Sequence, residues 1–421
     1  MLNLFVLMTA YYILKPIRES LILAAAGPEL KSYAGAVSAM ACLIIVPLYG
    51  KLASRLNRIR LINGINAFFA MNLIIFYVLG QFHVSFGFPF FLWVGLFDLM
   101  LVAQFWAFAN DLYTQEQGAR LFGVIGIGSS LGAIFGSAIA GHLFVSLGIY
   151  PMLLVAAGLL AVCMALTSCI DQQESGSVLS TESAAPLKEG GAFQLVFRHR
   201  YLFLIAMLIL LSNVVNATGE FILGKSVTEH AKLATASGSV LNTETYIGTF
   251  YSDFYFWVNI VGAGLQMFLV SRIMKNVGIA AALFFLPVVS LGGYTLLSFA
   301  PLLSFARAAK IAENGTDYSI QNTARHALFL RTSREAKYKG KTAIDSFFWR
   351  AGDAVSALIV FTGTALAFDL RGFARTNVVL VVLWLCVAAA IGWLRLTRGA
   401  DAYETAPEAA PLLDDSASAD A

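Results

Sequence analysis

The chain is 421 residues long, and 58% of its residues are hydrophobic while only 13% are charged. Soluble domains contain about 25% charged residues, so this composition indicates a polytopic membrane protein and argues against a globular enzyme with a membrane tail. The net charge of +3 excludes little, because the positions of the charges matter more than their sum.

Apolar stretches long enough to cross a bilayer, about 20 residues each, divide the chain into twelve predicted helices. The first six lie near 2–25, 31–53, 61–80, 87–112, 120–145 and 149–170. The other six lie near 199–224, 246–272, 278–298, 302–328, 339–367 and 376–396. A polar segment separates the two groups. The first stretch is predicted to be a retained helix and not a signal peptide, because no basic region precedes it and Lys15 and Arg18 interrupt it.

Positive residues are unevenly divided between the predicted loops. Eighteen Lys and Arg residues lie in the even-numbered connections and at the C-terminal end, against five in the odd-numbered connections. Lys and Arg are enriched in cytoplasmic loops, so both termini are expected in the cytoplasm. The five exceptions are Lys31, Lys225, Lys232, Arg371 and Arg375.

Two short segments recur at one spacing, 217 residues, in corresponding loops of the two groups of helices. Leu52–Arg55 resembles Leu269–Arg272, and Ala119–Gly123 resembles Ala336–Gly340. Parallel six-helix repeats around a central site are the architecture of the major facilitator type. We therefore expect an all-α polytopic membrane protein with twelve transmembrane helices in two such halves. The expected domains are an N-terminal bundle (1–170), a cytoplasmic linker (171–198), a C-terminal bundle (199–397) and a disordered cytoplasmic tail (398–421).

Seven charged residues lie inside two of the apolar stretches. They are Lys15, Arg18 and Glu19 in helix 1 and Arg307, Lys310, Glu313 and Asp317 in helix 10. One charged side chain at mid-bilayer costs roughly 3 kcal/mol, so seven facing lipid would cost on the order of 20 kcal/mol. These side chains are therefore expected to face a shared, water-accessible interior, which indicates a pathway for a solute. Cations outnumber anions among them, so the expected solute is an anion.

Helix 10 concentrates polar side chains on one face. At about 100° per residue, eight of them fall within an arc of about 140°, and the remaining surface is apolar. The alternative is internal pairing, of Lys310 with Glu313 or Asn314 and of Asp317 with a neighbouring helix. The eight residues are Arg307, Lys310, Glu313, Asn314, Asp317, Tyr318, Gln321 and Arg325.

Helices 1 and 7 also bring polar side chains to one face. In helix 1 the alternative to a solute site is a Lys15–Glu19 pair at i and i+4, which would leave Arg18 free. In helix 7 three polar residues lie within about 60° of one another, and the acidic one is expected to take a proton, pair with a cation in the empty carrier, or bind a substrate ammonium. The helix 7 residues are Asn213, Asn216 and Glu220.

Helices 4 and 11 carry further charged residues. In helix 4, Asp98 and Asp111 point in different directions, and Asp111 is either a site residue or a plain residue at a helix end. In helix 11, Lys341 stands at the expected mouth of the cavity, where it either meets a phosphate or belongs to the positive loop. Arg350 and Asp353 are spaced for an ion pair at i and i+3.

Four charged segments resemble the non-mitochondrial ATP/ADP translocases, the nucleotide exchangers of plastids and intracellular bacteria. They are 13–21, 105–111, Glu220 with Lys225, and 339–345. The last, Lys-Gly-Lys-Thr-Ala-Ile-Asp, is the most specific. The resemblance implies transport of a nucleotide, by exchange or with a cation, and it places the family's essential charges at Arg18, Asp111, Glu220 and Lys341. Arg18 replaces a lysine and Asp111 a glutamate, so the substrate can differ even where the fold is shared.

We predict a secondary active transporter, not an enzyme, that moves an anionic phosphorylated metabolite, first of all a nucleotide, by alternating access. No cofactor, metal or nucleic-acid partner is expected, since no Walker motif or metal-ligand cluster is visible, and the expected state is a monomer in the lipid bilayer of a bacterial inner membrane. The alternatives are a proton-coupled exporter or carrier of another small metabolite, with Glu220 or Asp98 as proton carrier, and a membrane sensor or assembly protein without transport. The predicted substrate-binding residues are Lys15, Arg18, Asp111, Glu220, Arg307, Lys310, Glu313, Asn314, Asp317, Gln321 and Lys341.

Overall fold

A computed structural model of the protein describes residues 1–53, 58–112, 115–174, 192–240, 242–329, 332, 336 and 340–398. Within these ranges all regular secondary structure is helical. The α-helices are α1 (Leu2–Ala53), α2 (Arg58–Gln81), α3 (Gly87–Leu112), α4 (Gln115–Ser146), α5 (Ile149–Glu174), α6 (Ala192–Arg198), α7 (Arg200–Ala236), α8 (Thr243–Leu265), α9 (Ser271–Asn276), α10 (Gly278–Ala282), α11 (Phe285–Phe299), α12 (Leu303–Thr316), α13 (Asn322–Ala327), α14 (Lys341–Ala343), α15 (Trp349–Ala365) and α16 (Leu370–Arg398). π-Helical segments join α8 to α9 (Gln266–Val270), α12 to α13 (Asp317–Gln321) and α14 to α15 (Ile344–Phe348).

A glycine divides the first long helix. Gly27 has φ 80° and ψ 174°, and positive φ is accessible to glycine at little cost because it has no Cβ. The rod before Gly27 (2–26) and the rod after it (28–53) correspond to predicted helices 1 and 2. This break turns the chain back on itself and brings the two rods side by side.

The remaining helices match the twelve predicted ones once the π-helical joints are included. For example, α8 with α9 forms predicted helix 8, and α12 with α13 forms predicted helix 10. The largest boundary error is in α7, which was predicted to end at residue 224 but continues to Ala236. Val227 and Ala231 are buried, so packing stabilises the added turns. The prediction of an all-α polytopic fold is confirmed.

Eight helices of the described chain are long and apolar enough to cross a membrane, and the protein is an integral membrane protein. The cytoplasmic position of the termini, the choice of membrane and the domain boundaries stay predictions. Most of the predicted linker and tail, residues 175–191 and 399–421, lies outside the described residues. The end of the predicted linker, residues 192–198, is helical and forms α6.

Three glycines, Gly128, Gly132 and Gly136, let α4 approach the first rod of α1 closely. They recur every four residues, a spacing that favours close contact between membrane helices. A Cβ at Gly132 would lie 2.4 Å from the Phe5 carbonyl oxygen, and one at Gly136 would lie 2.6 Å from the Thr9 carbonyl oxygen. Any side chain at these positions would therefore collide with the backbone of α1.

Helices from the two predicted bundles meet through α1 and α4 on one side and α7, α8 and α15 on the other. Ser20 Oγ donates to the Glu244 carbonyl oxygen at 2.6 Å, and a Cβ at Gly224 would lie 3.3 Å from Leu23 Cδ2. We call this region, marked by Ser20, Leu23, Gly224 and Glu244, the contact end of the bundle. Since α7 packs on both α1 and α12, polar residues of predicted helices 1, 7 and 10 surround one interior.

Candidate solute-binding cavity

Two cavities lie inside the bundle and share two wall residues. The first has a volume of about 220 Å³ and the second about 390 Å³. Lys15 and Tyr318 line both, so the cavities adjoin at these side chains. The first extends along α1 past Arg18 towards the contact end, and the second extends in the opposite direction as far as Met8.

A series of alternating charges lies beside the first cavity, and Arg18, Lys31 and Glu220 of this series form part of the cavity wall. Arg18 Nη2 lies 2.5 Å from Glu19 Oε1, and Lys31 Nζ lies 2.6 Å from Glu19 Oε2. Lys31 Nζ also lies 3.4 Å from Glu220 Oε2 and so joins α1 to α7. Glu19 is 0% exposed, so two cations share one carboxylate that is withdrawn from water.

The series continues behind the cavity wall through Lys310. Lys310 Nζ lies 3.6 Å from Glu220 Oε1 and 3.0 Å from Glu313 Oε1, which confirms the internal Lys310–Glu313 pair considered from the sequence. It also donates to Asn216 Oδ1 at 2.8 Å, and Tyr294 OH donates to Glu313 Oε2 at 2.6 Å. Lys310 is 1% exposed and lines neither cavity. We call Arg18, Glu19, Lys31, Glu220, Lys310 and Glu313 the charge chain; its formal charges cancel.

Lys15 has a different environment. Within the described residues, no carboxylate oxygen lies within 4.0 Å of its Nζ. Instead, Nζ lies 4.4 Å from the ring centroid of Tyr255, 4.9 Å from that of Tyr12 and 5.4 Å from that of Tyr11. Aromatic ring faces attract a cation but do not neutralise it. Lys15 therefore presents a buried positive charge, without a direct ion pair in the described chain, where the two cavities meet.

Helical spacing and the turn at Gly27 explain how these side chains come together. Lys15 and Arg18 are three residues apart and so lie on one face of the first rod. The turn at Gly27 lays the second rod beside the first, which places Lys31 next to Glu19. The positions of the α7 residues at i, i+3 and i+7 likewise bring all three to the cavity wall. The α7 residues are Asn213, Asn216 and Glu220.

The structure brings several predicted site residues together, but Glu19 pairs with cations other than Lys15. The Lys15–Glu19 alternative is wrong, because Glu19 is engaged by Arg18 and Lys31, and among the described residues Lys15 has no ion-pair partner. Asn314 Nδ2 donates to the cavity carboxylate Glu220 at 3.3 Å. The predicted residues that line the first cavity are Lys15, Arg18, Glu220 and Asn314.

Arg307 is the predicted site residue that the structure most clearly separates from the interior. It pairs with Asp253 of α8 and lies over the ring of Phe250, and it lines neither cavity. The Arg307 and Asp253 side chains are both partly exposed. The expectation that all seven intramembrane charges face one shared interior is therefore wrong for Arg307.

Other predicted residues also lie away from the two cavities. Asp317 and Gln321 belong to the π-helical segment between α12 and α13 and line neither cavity. Lys341 Nζ lies 6.0 Å from the ring centroid of Phe329 and is likewise absent from both cavity walls. The backbone of Asp111 belongs to α3, but its side chain lies outside the described residues.

Two charged residues of the first cavity, Lys31 and Asp353, and one of the second, Asp98, were not among the predicted substrate-binding residues. Lys31 was counted as a loop cation, whereas the structure buries it at 7% exposure. The available signal was the Gly27–Pro28 pair, which predicts a tight turn followed at once by a helix. Asp353 forms the predicted pair with Arg350, at 3.7 Å, and also faces the first cavity.

Comparison with known proteins places the chain among transporters. The family model of the Major Facilitator Superfamily matches residues 1–312. The ADP,ATP carrier protein 1 of Chlamydia muridarum is 22% identical over 366 residues, which cover 76% of this chain and 67% of that protein. The ADP,ATP carrier protein 2 of Chlamydia pneumoniae is 24% identical, with 73% and 65% covered. This chain thus spans about two thirds of the length of these relatives, and the predicted resemblance to ATP/ADP translocases is confirmed.

Solved structures of other transporters share the fold. The nucleoside transporter NupG superposes with a TM-score of 0.63 at 12% identity, covering 93% of this chain and 97% of that chain. A bacterial homologue of the iron transporter ferroportin, in an inward-facing state, has a TM-score of 0.63 at 14% identity, with 93% and 96% covered. At these identities the likeness concerns the fold alone. Relatives and fold neighbours alike are transporters and not enzymes.

Proposed function

Because the chain belongs to the Major Facilitator Superfamily and is a transporter, we propose that it moves an anionic, phosphorylated metabolite by alternating access, with a nucleotide as the leading cargo. The observation that carries this proposal is the ammonium of Lys15, which lines both cavities and has no carboxylate within 4.0 Å in the described chain. A buried charge without an ion pair is costly, and an anionic cargo would compensate it.

The charges around the first cavity favour an anion there. The six residues of the charge chain have no net charge, so they do not offset the positive charge of Lys15. Arg18 binds Glu19 through Nε at 3.1 Å and Nη2 at 2.5 Å, and a guanidinium has five N–H donors in all. The remaining donors suit phosphate oxygens, which form short, strong, charge-assisted hydrogen bonds with arginine.

An aromatic side chain at the junction suits a nucleotide base. Tyr318 lines both cavities and is 45% exposed, so its ring is available to a ligand. Bases stack on aromatic side chains. A nucleotide whose base stacked on Tyr318 would have its phosphates near Lys15 and Arg18. The names of the Chlamydia relatives, ADP,ATP carriers, add support for this cargo.

Uptake of labelled ATP, ADP or GTP into liposomes that contain the purified protein tests the proposal. Lys15→Gln and Arg18→Gln should each reduce uptake by about tenfold or more, because each removes a charged donor to the cargo. The matched control is Arg307→Gln, which removes a cation that faces neither cavity and should leave uptake near the wild-type rate.

Normal uptake by a protein that carries both Lys15→Gln and Arg18→Gln would remove these residues from the mechanism. A flux that depends on a pH gradient and is not inhibited by nucleotides would instead support the proton-coupled carrier of another metabolite. Glu220 and Asp98, the carboxylates considered for that role, line the first and second cavities respectively.

A further inference from the structure

The second cavity differs from the first in the charges on its wall. Apart from Lys15 at the junction, the charged residue that lines it is Asp98 of α3. In the described chain no cation lies within 4.0 Å of the Asp98 carboxylate. Its other polar lining consists of hydroxyl and amide groups, chiefly those of Ser129, Ser130, Asn259 and Gln266.

These groups select the chemistry of a ligand in the second cavity. An ionised carboxylate only accepts hydrogen bonds and repels a phosphate, so Asp98 disfavours the anionic end of a cargo. Lys15 on the same wall disfavours an ammonium group. Serine hydroxyls and side-chain amides both donate and accept. The group that suits all of them is uncharged and rich in hydroxyls, as a sugar is.

We infer that the second cavity holds the hydroxyl-bearing sugar of the cargo, with Asp98 accepting hydrogen bonds from its hydroxyls, while the phosphates lie in the first cavity beside Arg18 and Lys15. The inference rests on the proposed function and adds an orientation and a specificity-determining residue to it. A site built to bind a substrate hydroxyl discriminates against an analogue that lacks it, because its own polar groups are then left unpaired.

The test measures binding of ADP, 2′,3′-dideoxy-ADP and inorganic pyrophosphate to the purified full-length protein by titration calorimetry. The wild type should bind ADP about tenfold or more tightly than dideoxy-ADP, because the analogue lacks both hydroxyls. Asp98→Asn, which keeps the shape but removes the ionised acceptor, should lose most of that preference and leave the affinity for pyrophosphate unchanged.

Two further variants make the result interpretable. Asp253→Asn makes the same chemical change outside both cavities and should keep the full preference for ADP. Gln266 is the first residue of the π-helical segment after α8, and it also lines the second cavity. Gln266→Ala should therefore reduce the same preference for ADP. The inference is thus testable even if the Asp98 variant does not fold.

Several outcomes would overturn the inference. Equal affinity of the wild type for ADP and dideoxy-ADP would show that the hydroxyls are not recognised. An Asp98→Asn protein that loses pyrophosphate and ADP equally would place Asp98 at the phosphates. Binding of pyrophosphate alone would contradict the inference and leave an anion site intact, whereas binding of none of the three would contradict the proposed function and this inference together.

Discussion

Lys15 and Arg18 are cations one helical turn apart, yet their side chains contact different kinds of residue. Arg18 holds the carboxylate of Glu19, and that carboxylate is shared with Lys31. Lys15 faces three tyrosine rings instead. Because the difference arises from neighbours on other segments, residue type and spacing on α1 do not reveal which cation is left for a ligand.

Glu19 is the residue whose loss should most disturb the charge chain. Glu19→Gln removes the carboxylate that compensates both Arg18 and Lys31. Breaking a buried ion pair by removing one partner costs about 3–5 kcal/mol, so we expect a loss of this size in the free energy of unfolding, measured by denaturant titration of the purified protein in detergent.

Asp253→Asn is the matched control for this prediction. It removes one partner of the partly exposed Arg307–Asp253 pair, and exposed ion pairs contribute only about 0–1 kcal/mol. If Glu19→Gln proved no more destabilising than Asp253→Asn, the charge chain would have no structural role.

At the scale of single elements, a π-helical segment interrupts the regular rotation of predicted helix 10. The predicted arc of about 140° assumed α-helical rotation along the whole helix. A π-helix bonds residue i to i+5, so Asp317–Gln321 changes the direction of the residues within and after it. Asn314, which precedes the segment, lines the first cavity, and Tyr318 within the segment lines both, whereas Gln321 at its end lines neither.

The contact between α4 and α1 provides a prediction at the same scale. In Gly132→Ala the new methyl group would lie 2.4 Å from the Phe5 carbonyl oxygen and 3.0 Å from Met8 Cβ. Neither the backbone oxygen nor the packed helix can yield cheaply, and overpacking of this kind costs about 1–3 kcal/mol. We expect a lower thermal unfolding midpoint for the purified protein.

Gly158→Ala on α5 is the control, since beyond its own helical turn no atom of the described residues lies within 4 Å of the Cβ it would add. Replacing an unconstrained helical glycine with alanine stabilises by about 0.5–1 kcal/mol. A stabilising or neutral Gly132→Ala would mean that α4 and α1 are farther apart than the structure shows.

At the scale of the whole molecule, the predicted halves meet at the contact end and enclose the two cavities. The Lys31–Glu220 ion pair and the Ser20–Glu244 hydrogen bond both join α1 to the second half. Under the proposed alternating access these bonds must break when the halves rock, and an anionic cargo would then supply Lys31 with a partner in place of Glu220.

A disulfide between α4 and α8 tests whether that movement is needed. A Cβ at Gly141 would lie 3.6 Å from Ser252 Cβ, within the range of about 3.5–4.5 Å found in disulfides. In a protein whose four native cysteines are replaced, Gly141→Cys with Ser252→Cys should crosslink on oxidation. We expect uptake to fall to background and to recover on reduction.

The control pair is Gly158→Cys with Ser252→Cys. No atom of the described chain outside its own helix neighbourhood lies within 4 Å of a Cβ at Gly158, so this pair should not crosslink and uptake should survive oxidation. Full uptake by the crosslinked Gly141–Ser252 protein would contradict a mechanism in which α4 and α8 separate.

The amino-acid sequence alone determined the twelve helices, the polytopic all-α fold and the helices 1, 7 and 10 that line the first cavity. These follow from local physics: apolar length, the cost of a charge in a bilayer, and helical spacing. The same reasoning correctly predicted the Arg350–Asp353 pair and the common face of Asn213, Asn216 and Glu220, because the residues of each set lie on one helix.

Only the tertiary structure decided how charges from different segments are distributed. In the sequence Lys31 resembles an ordinary loop cation, but in the structure the turn at Gly27 places it next to Glu19. Arg307 likewise resembles an interior cation in the sequence, but in the structure it pairs with Asp253 on another helix. Electrostatic energy depends on distances across the bundle, and residues far apart in sequence set those distances. The lack of an ion-pair partner for Lys15 in the described part of the chain, on which the proposed function depends, is therefore a property of the folded molecule.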